Sequence, residues 1–110
     1  MTTRTFQILL AVAEGPVHGY GIKEKVEART GGEGRLGSGT LYEAVHRLLE
    51  QGMIAEVDPP DGEPSPGGPP RRYYALTTAG RATLAEELRR MDAVVRFARN
   101  LDLLGDAPAG

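Results

Sequence analysis

The sequence predicts a mainly α-helical fold with a small β-hairpin wing, in which a winged helix-turn-helix domain is followed by a long C-terminal helix. Three observations lead to this class. Apolar residues recur at helical spacing in short segments before residue 52. Two strand-like segments then flank a proline-rich stretch, residues 58–70. The last third of the chain carries a long apolar repeat with the spacing of a coiled-coil seam.

Composition fits one domain and excludes several function classes. The chain has 110 residues, two histidines and no cysteine, so we expect no disulfide, no metal site and no cofactor. The formal net charge is -2, so a surface that binds nucleic acid must be a local basic patch. The apolar run over residues 6–13 is too short to span a membrane. We therefore expect a cytoplasmic protein without membrane contact.

The first helix is predicted from apolar residues spaced i, i+3, i+4 and i+7, and it ends at Gly15 and Pro16. Ile8 and Val12 add a second apolar stripe. A helix that is apolar on two faces needs two partners. We therefore predict that Ile8 and Val12 contribute to a contact with another subunit. The first stripe consists of Phe6, Leu9, Leu10 and Ala13.

A second, short helix is predicted over residues 18–30. Ile22 and Val26 face inward, Lys23 and Lys25 are available to solvent, and two glycines end the helix after residue 30. Residues 31–39 hold five glycines and therefore predict an irregular turn region before the next helix.

The third helix begins near Thr40 or Ser38. Thr40 and Glu43 have the spacing of a capping box, and Ser38 is the alternative N-cap. Gly52 is the expected C-terminal stop. The helix has a buried stripe of Leu41, Val45, Leu48 and Leu49 and an outer surface with Tyr42, Glu43, His46, Arg47 and Glu50.

Two strands are predicted over residues 53–57 and 71–76, from β-branched residues in the first and the pair Tyr73–Tyr74 in the second. Residues 58–70 between them contain six prolines and three glycines, which prevent continuous ladder bonding. We interpret residues 53–76 as a wing with a flexible tip at residues 58–70. The helix-turn-helix domain then covers residues 1–76.

The last helix is predicted to start at a cap on Thr77 or Thr78 and to run to about Leu101. Its apolar positions alternate spacings of four and three, which is the period of a seam between two helices. We therefore assign residues 77–104 to a dimerisation helix and residues 105–110 to a frayed tail. The seam consists of Leu84, Leu88, Met91, Val95 and Ala98.

The predicted topology makes the third helix the recognition helix of a DNA-binding protein. Its first turn offers the hydroxyl groups of Ser38, Thr40 and Tyr42, which can bond phosphates or base edges. For Ser38 and Thr40, helix capping is an equally good explanation. Arg71 and Arg72 are the predicted wing contacts to the DNA backbone. Further candidates for backbone contacts are Lys23, Lys25, His46 and Arg47.

Two other kinds of site were considered. Met91, Val94 and Phe97, with the second stripe of the first helix, can line an apolar cavity between subunits that binds a small apolar or aromatic effector. Tight packing of the dimer is the alternative. Residues 32–37 match the dinucleotide-binding pattern GxGxxG but lack the preceding strand, so we reject it. No feature brings a base and an acid to a serine, so we expect no catalysis.

Three motifs resemble the PadR family of transcriptional regulators, and with the flanking helices they cover nearly the whole chain. They are HGYGI at residues 18–22, GTLY at 39–42 with LLEQGMI at 48–54, and RYYALTTAG at 72–80. The single C-terminal helix resembles the short branch of the family. The resemblance implies a homodimeric repressor that binds a palindromic operator and is often responsive to a small molecule. The family commonly has proline where Ser38–Gly39 and Glu43 stand, which leaves the register of base contacts open.

Two rival functions stand beside DNA binding. The winged fold also suits a protein-interaction module, which the acidic wing tip and the net negative charge favour. A small-molecule sensor with its pocket between two subunits is the other alternative.

Overall fold

The structure is a computed structural model that describes residues 1–32, 37–60 and 71–105. In these ranges the order is α1 (Thr3–Ala13), β1 (Val17–His18), α2 (Gly19–Arg29), α3 (Ser38–Glu50), β2 (Ile54–Val57), β3 (Tyr73–Leu76) and α4 (Thr78–Asn100). The strands form one antiparallel sheet in the order β1-β3-β2. The predicted class, a mainly helical winged helix-turn-helix with a long last helix, is confirmed.

The first two helices have the predicted positions, and side chains explain where they begin. Thr2 caps α1 by accepting from the N–H of Thr5, and His18 caps α2 by accepting from the N–H of Gly21. The chain leaves α1 through Gly15, whose φ of 138° suits glycine. Arg29 on α2 then joins the helices, because its guanidinium donates to the side chain and the backbone carbonyl of Gln7 on α1.

The start of α3 differs from both predicted caps. The N-cap is Gly37, and Ser38 is the first helical residue, so neither Ser38 nor a box of Thr40 and Glu43 caps the helix. Ser38 and Thr40 both lie inside the first turn, so neither hydroxyl stands before the helix, where a capping side chain would be. The C-terminal prediction was right: Gly52 has φ 72°, its N–H donates to Leu49, and the next N–H donates to Leu48.

The wing is formed by β2 and β3, which pair antiparallel from Ile54 with Leu76 to Val57 with Tyr73. Both strands are shorter than predicted. The two-residue strand β1 was not predicted, because two residues carry no alternation pattern. It pairs with β3 and brings His18 opposite Tyr73. Most of the predicted flexible tip, residues 61–70, and the tail from residue 106 lie outside the described residues.

The hydrophobic core lies between α1, α2, α3, the sheet and the first part of α4. The prediction that Ile8 and Val12 contact another subunit was wrong, because their relative exposures are 0% and 1% within the single chain. Leu84 was also assigned to the dimer seam, yet it is buried in this core. The second stripe of α1 therefore finds its partner inside the subunit. The division into residues 1–76 and 77–104 stays a prediction, and α4 begins as part of the core.

Thr77 caps α4 by accepting from the N–H of Gly80, as predicted for one of the two threonines. The first turn of α4 packs closely on the chain that enters β2. Thr77 donates its N–H to the carbonyl of Met53 at 3.1 Å. A Cβ added to Gly80 would lie 2.8 Å from the carbonyl carbon of Met53 and closer still to its oxygen. Only glycine allows this approach without a shift of backbone.

Candidate nucleic-acid interface

The outer face of α3 is open to solvent while its inner face is buried. Leu41, Val45 and Leu48 pack into the core, which fixes the rotation of the helix. Tyr42 points outward with 74% of its surface exposed, and Ser38 is also exposed, whereas Thr40 is half-buried. The first turn of α3 thus presents polar groups from a rigid base, as readout of a DNA groove requires.

The wing lies beside α3. The pKa of Tyr74 on β3 is raised, first by burial and then by the negative charge of Glu56, while Arg72 lowers it and Tyr42 raises it further. These influences place the side chain of Tyr42 on α3 in the same neighbourhood as the charged groups of β2 and the start of β3. The predicted recognition turn therefore lies near β3, and α3 also packs against β2.

Farther along α3, the outer face is of mixed charge. A shallow groove of about 470 Å³ runs along it, lined by Glu43, His46, Arg47, Glu50 and Gln51. His46 Nε2 lies 2.9 Å from Glu50 Oε1, so this predicted phosphate contact is engaged with an acid of its own helix. Arg47 is exposed. The acids oppose a phosphate backbone here, so the favourable end of α3 is its first turn.

The wing arginines are both exposed, and each meets a group of this chain. Arg71 Nη1 lies 3.0 Å from His18 Nε2, and Arg72 Nε lies 3.9 Å from Glu56 Oε1. An exposed ion pair at that distance contributes little stability, so Arg72 can leave Glu56 for a phosphate. Both arginines stand where the chain leaves the wing tip and enters β3, and Arg71 there reaches the residue that caps α2.

On α2, two of the basic groups share one carboxylate at the C-terminal end of α1. Glu14 accepts from Lys25 at 3.0 Å and lies 3.7 Å from Arg29. Lys23 is half-buried and belongs to no ion pair among those found in the described ranges. Of the predicted backbone contacts on this helix, Lys23 is thus the one whose charge is not compensated by α1.

The distal part of α4 carries apolar side chains that the single chain leaves in water. Leu88, Met91 and Val95 are 40–41% exposed and continue the line of the buried Leu84, and Ala98 is half-buried. Val94 and Phe97, at 67% and 65%, form a second exposed stripe. The predicted effector residues Met91, Val94 and Phe97 do not line the groove on α3. A pocket at these residues requires a second subunit and stays a prediction.

His18 was missing from the predicted interface residues, although it stands in the first of the family-like motifs. It stands at the start of the predicted second helix, but its meeting with Arg71 depends on the pairing of β1 with β3, which no local pattern reveals. Tyr20, two residues further along α2, is another exposed aromatic side chain to which the sequence assigned no role. Within the described part of the chain no cluster of metal-ligating side chains is found, and no helix there is long and apolar enough to cross a membrane.

Comparison with known sequences gives a family and named relatives. Residues 8–86 match the transcriptional regulator PadR-like family. The chain is 36% identical over 90 residues to the transcriptional regulator Rv3488 of Mycobacterium tuberculosis, covering 81% of this chain and 76% of that protein. It is 34% identical over 84 residues to an uncharacterized 37.1 kDa protein in a transposon of Streptomyces fradiae. That match covers 76% of this chain but only 21% of the transposon protein.

Solved structures show the same fold. A PadR-like transcription factor from Bacteroides fragilis superimposes with a TM-score of 0.70 at 24% identity, covering 88% of this chain and 87% of that one. Bacillus subtilis PadR in complex with operator DNA superimposes with a TM-score of 0.65 at 21% identity, covering 79% of this chain and 47% of that one. At these identities the likeness concerns the fold.

Proposed function

The chain belongs to the transcriptional regulator PadR-like family, and we propose that it binds double-stranded DNA as a homodimer and represses transcription from its operator. It is a regulator and not an enzyme, as its family and its Mycobacterium tuberculosis relative are transcriptional regulators. The proposed action is by occupancy, in the cytoplasm, where the DNA of a bacterium lies.

The observation that carries the proposal is the first turn of α3, where Tyr42 is 74% exposed above a buried stripe and next to the wing. A recognition helix enters the major groove by this end, while a wing contacts the flanking backbone. The structure of Bacillus subtilis PadR with operator DNA supports the same use of this fold. In this chain Ser38, Thr40 and Tyr42 are the proposed groove contacts, and Arg71, Arg72 and Lys23 the proposed phosphate contacts.

The homodimer is supported by the stripe of Leu88, Met91 and Val95 on α4, which is about two-fifths exposed in the single chain. Apolar surface in a continuous line is buried favourably against a second copy of the same helix. Two copies related by a twofold axis would place two α3 helices in successive major grooves, about 34 Å apart, on a palindromic operator. Ala98 extends this proposed seam.

We further propose that the dimer can hold an effector site between its two subunits. Val94 and Phe97 project from α4 beside the seam with about two-thirds of their surface exposed. In a dimer these side chains and Met91 either pack tightly or enclose a small apolar or aromatic molecule. Heat-unfolding of the dimer with a panel of aromatic acids and apolar drugs tests for such a site, since a ligand that binds the folded dimer raises its Tm.

Selection of bound duplexes from a random pool, at a stated salt concentration, tests DNA binding and yields the operator in the same experiment. We expect a palindromic consensus. Tyr42→Ala should then weaken operator binding about tenfold or more while changing binding to random duplex much less, because a groove contact discriminates sequences. Equal losses on both DNAs would reduce Tyr42 to a backbone contact.

A protein-interaction module is the second candidate, and one observation favours it. Glu43 and Glu50 line the groove on α3 that a recognition helix would turn toward DNA. The pool selection also decides between the two functions. If no sequence is enriched and the wild-type chain binds no duplex at low salt, the protein-interaction module becomes the better proposal.

A further inference from the structure

The start of α2 and the residue with which the chain leaves the wing tip, Arg71, meet at one imidazole ring. His18 Nδ1 accepts a hydrogen bond from the backbone N–H of Gly21 at 2.9 Å. On the other side of the ring, Nε2 lies 3.0 Å from Nη1 of Arg71. The two groups that meet the ring nitrogens are therefore both N–H donors.

One neutral imidazole cannot accept from both. A nitrogen that accepts the bond from Gly21 carries no proton, so the ring proton stands on Nε2 and makes Nε2 a donor. The guanidinium of Arg71 has only donors and stays charged. With the helix cap in place, His18 and Arg71 thus present two donors to each other at hydrogen-bond distance. The contact lacks an acceptor.

The ring is held in this orientation by its surroundings. Tyr73 meets it edge to face, with 5.4 Å between ring centroids and an interplanar angle of 88°. The pairing of His18 with Tyr73 in the sheet fixes the backbone behind it. Gly21 leaves room for the ring, because a Cβ there would lie 3.3 Å from Cε1 of His18. A half turn of the imidazole would exchange Nδ1 for a ring carbon and so lose the bond from Gly21, and it therefore does not remove the conflict.

We propose that His18 Nε2–H and the Arg71 guanidinium together bind one phosphate of the DNA backbone. A phosphate oxygen accepts from both groups at once, which satisfies the two donors and leaves the cap on α2 intact. The N-terminal end of α2 adds its favourable dipole. This inference rests on the proposed DNA binding. The new element is a contact from a neutral side chain, His18, which joins α2, the first helix of the helix-turn-helix, to the wing.

The test replaces His18 by Asn in the full chain. Asn accepts from the N–H of Gly21 as an N-cap residue, but it is too short to reach a ligand of Arg71. We expect unchanged helix content and Tm, and about tenfold weaker binding to both operator and random duplex, equivalent to about 1.4 kcal/mol. The salt slope of binding should stay unchanged, because a neutral ring releases no counterion, whereas Arg71→Ala should lower it by about 0.9.

A double-mutant cycle decides whether the two groups hold the same phosphate. In the Arg71→Ala background, His18→Asn should change affinity by less than about twofold, because the joint contact is already lost. Full additivity of the two losses would overturn the inference, as would wild-type affinity of His18→Asn. The inference alone fails in these cases. A wild-type chain that binds no duplex overturns the proposed function and this inference together.

The tautomer is open to direct measurement without DNA. Long-range ¹H–¹⁵N spectra of the free chain at a pH where His18 is neutral should show the proton on Nε2. A proton on Nδ1 would mean that Arg71 donates to His18 and that the cap is absent, which contradicts the premise.

Discussion

Gly80 provides a test of how α4 is attached to the rest of the domain. We expect Gly80→Ala to destabilise the fold, against the general rule that alanine is the better residue in a helix. The added methyl would lie 2.8 Å from the carbonyl carbon of Met53 and still closer to its oxygen. Both atoms belong to backbone, so no side chain can rotate away. The same carbonyl also accepts from the N–H of Thr77.

The magnitude follows from two opposed effects. Overpacking against a fixed neighbour costs about 1–3 kcal/mol, and the upper part of that range applies where backbone must move. Alanine returns at most about 1 kcal/mol through its helix propensity. We therefore expect a net loss of about 2 kcal/mol in the free energy of unfolding. For a domain of this size that corresponds to a fall in Tm of roughly 8–16 °C.

Gly39→Ala is the matched control, because Gly39 also lies in the first turn of a helix but a Cβ there would meet nothing within 4 Å. This variant should be as stable as the wild type or up to about 1 kcal/mol more stable. Thermal and urea unfolding followed by circular dichroism, at equal protein concentration, compare the three proteins. A Gly80→Ala protein that unfolds with or after the wild type would refute the close packing of α4 on Met53.

Three further predictions concern the dimer, the wing and Tyr74. Leu88→Asp places a carboxylate in the proposed seam, where burial of an unpaired charge costs several kcal/mol. Sedimentation equilibrium should therefore show a folded protein whose dimer is at least about a hundredfold weaker. A micromolar dimer would contradict the seam. The double variant Arg71→Ala, Arg72→Ala should weaken binding to every duplex and lower the salt slope of binding by up to about two. An unchanged slope would mean that the wing arginines do not contact the DNA. Because the pKa of Tyr74 is raised, the unfolded chain loses this proton at a lower pH than the folded chain does. Stability should therefore be intact below pH 10.0, the ordinary value, and fall as the pH rises above it. Urea unfolding at increasing pH should show this loss, and a stability that stays constant through that range would contradict the burial of Tyr74.

Local patterns were sufficient for most of the helices. The stripe of Leu41, Val45 and Leu48 defines the rotation of α3, because residues three and four apart share one side of a helix. Gly52 was a reliable stop because the left-handed conformation after a helix favours glycine. The prediction of a cap at Ser38 or Thr40 was wrong, because Ser, Thr and Glu are also common inside the first turn of a helix. Which residue becomes the cap depends on where the preceding chain enters the helix.

Tertiary structure decided which apolar stripe serves which partner. In the sequence, Ile8 and Val12 look the same as Leu88 and Val95, because periodicity reports only that a face is apolar. The fold buries the first pair in the core of the subunit and leaves the second pair about two-fifths exposed on α4. The exposed part of the seam therefore begins after Leu84, one turn later than the pattern alone indicated.

The sequence by itself determined the class of the protein. The features that predict this class are local. They are the order of helices and strands, the proline-rich wing tip and the motifs around α2, α3 and β3, and each can be recognised in a short stretch of sequence. The tertiary structure alone brought His18 to Arg71 and Tyr42 to the wing, across separations of 53 and about 30 residues. Such contacts arise from strand pairing and core packing, whose energies depend on many residues at once, so no short pattern encodes them.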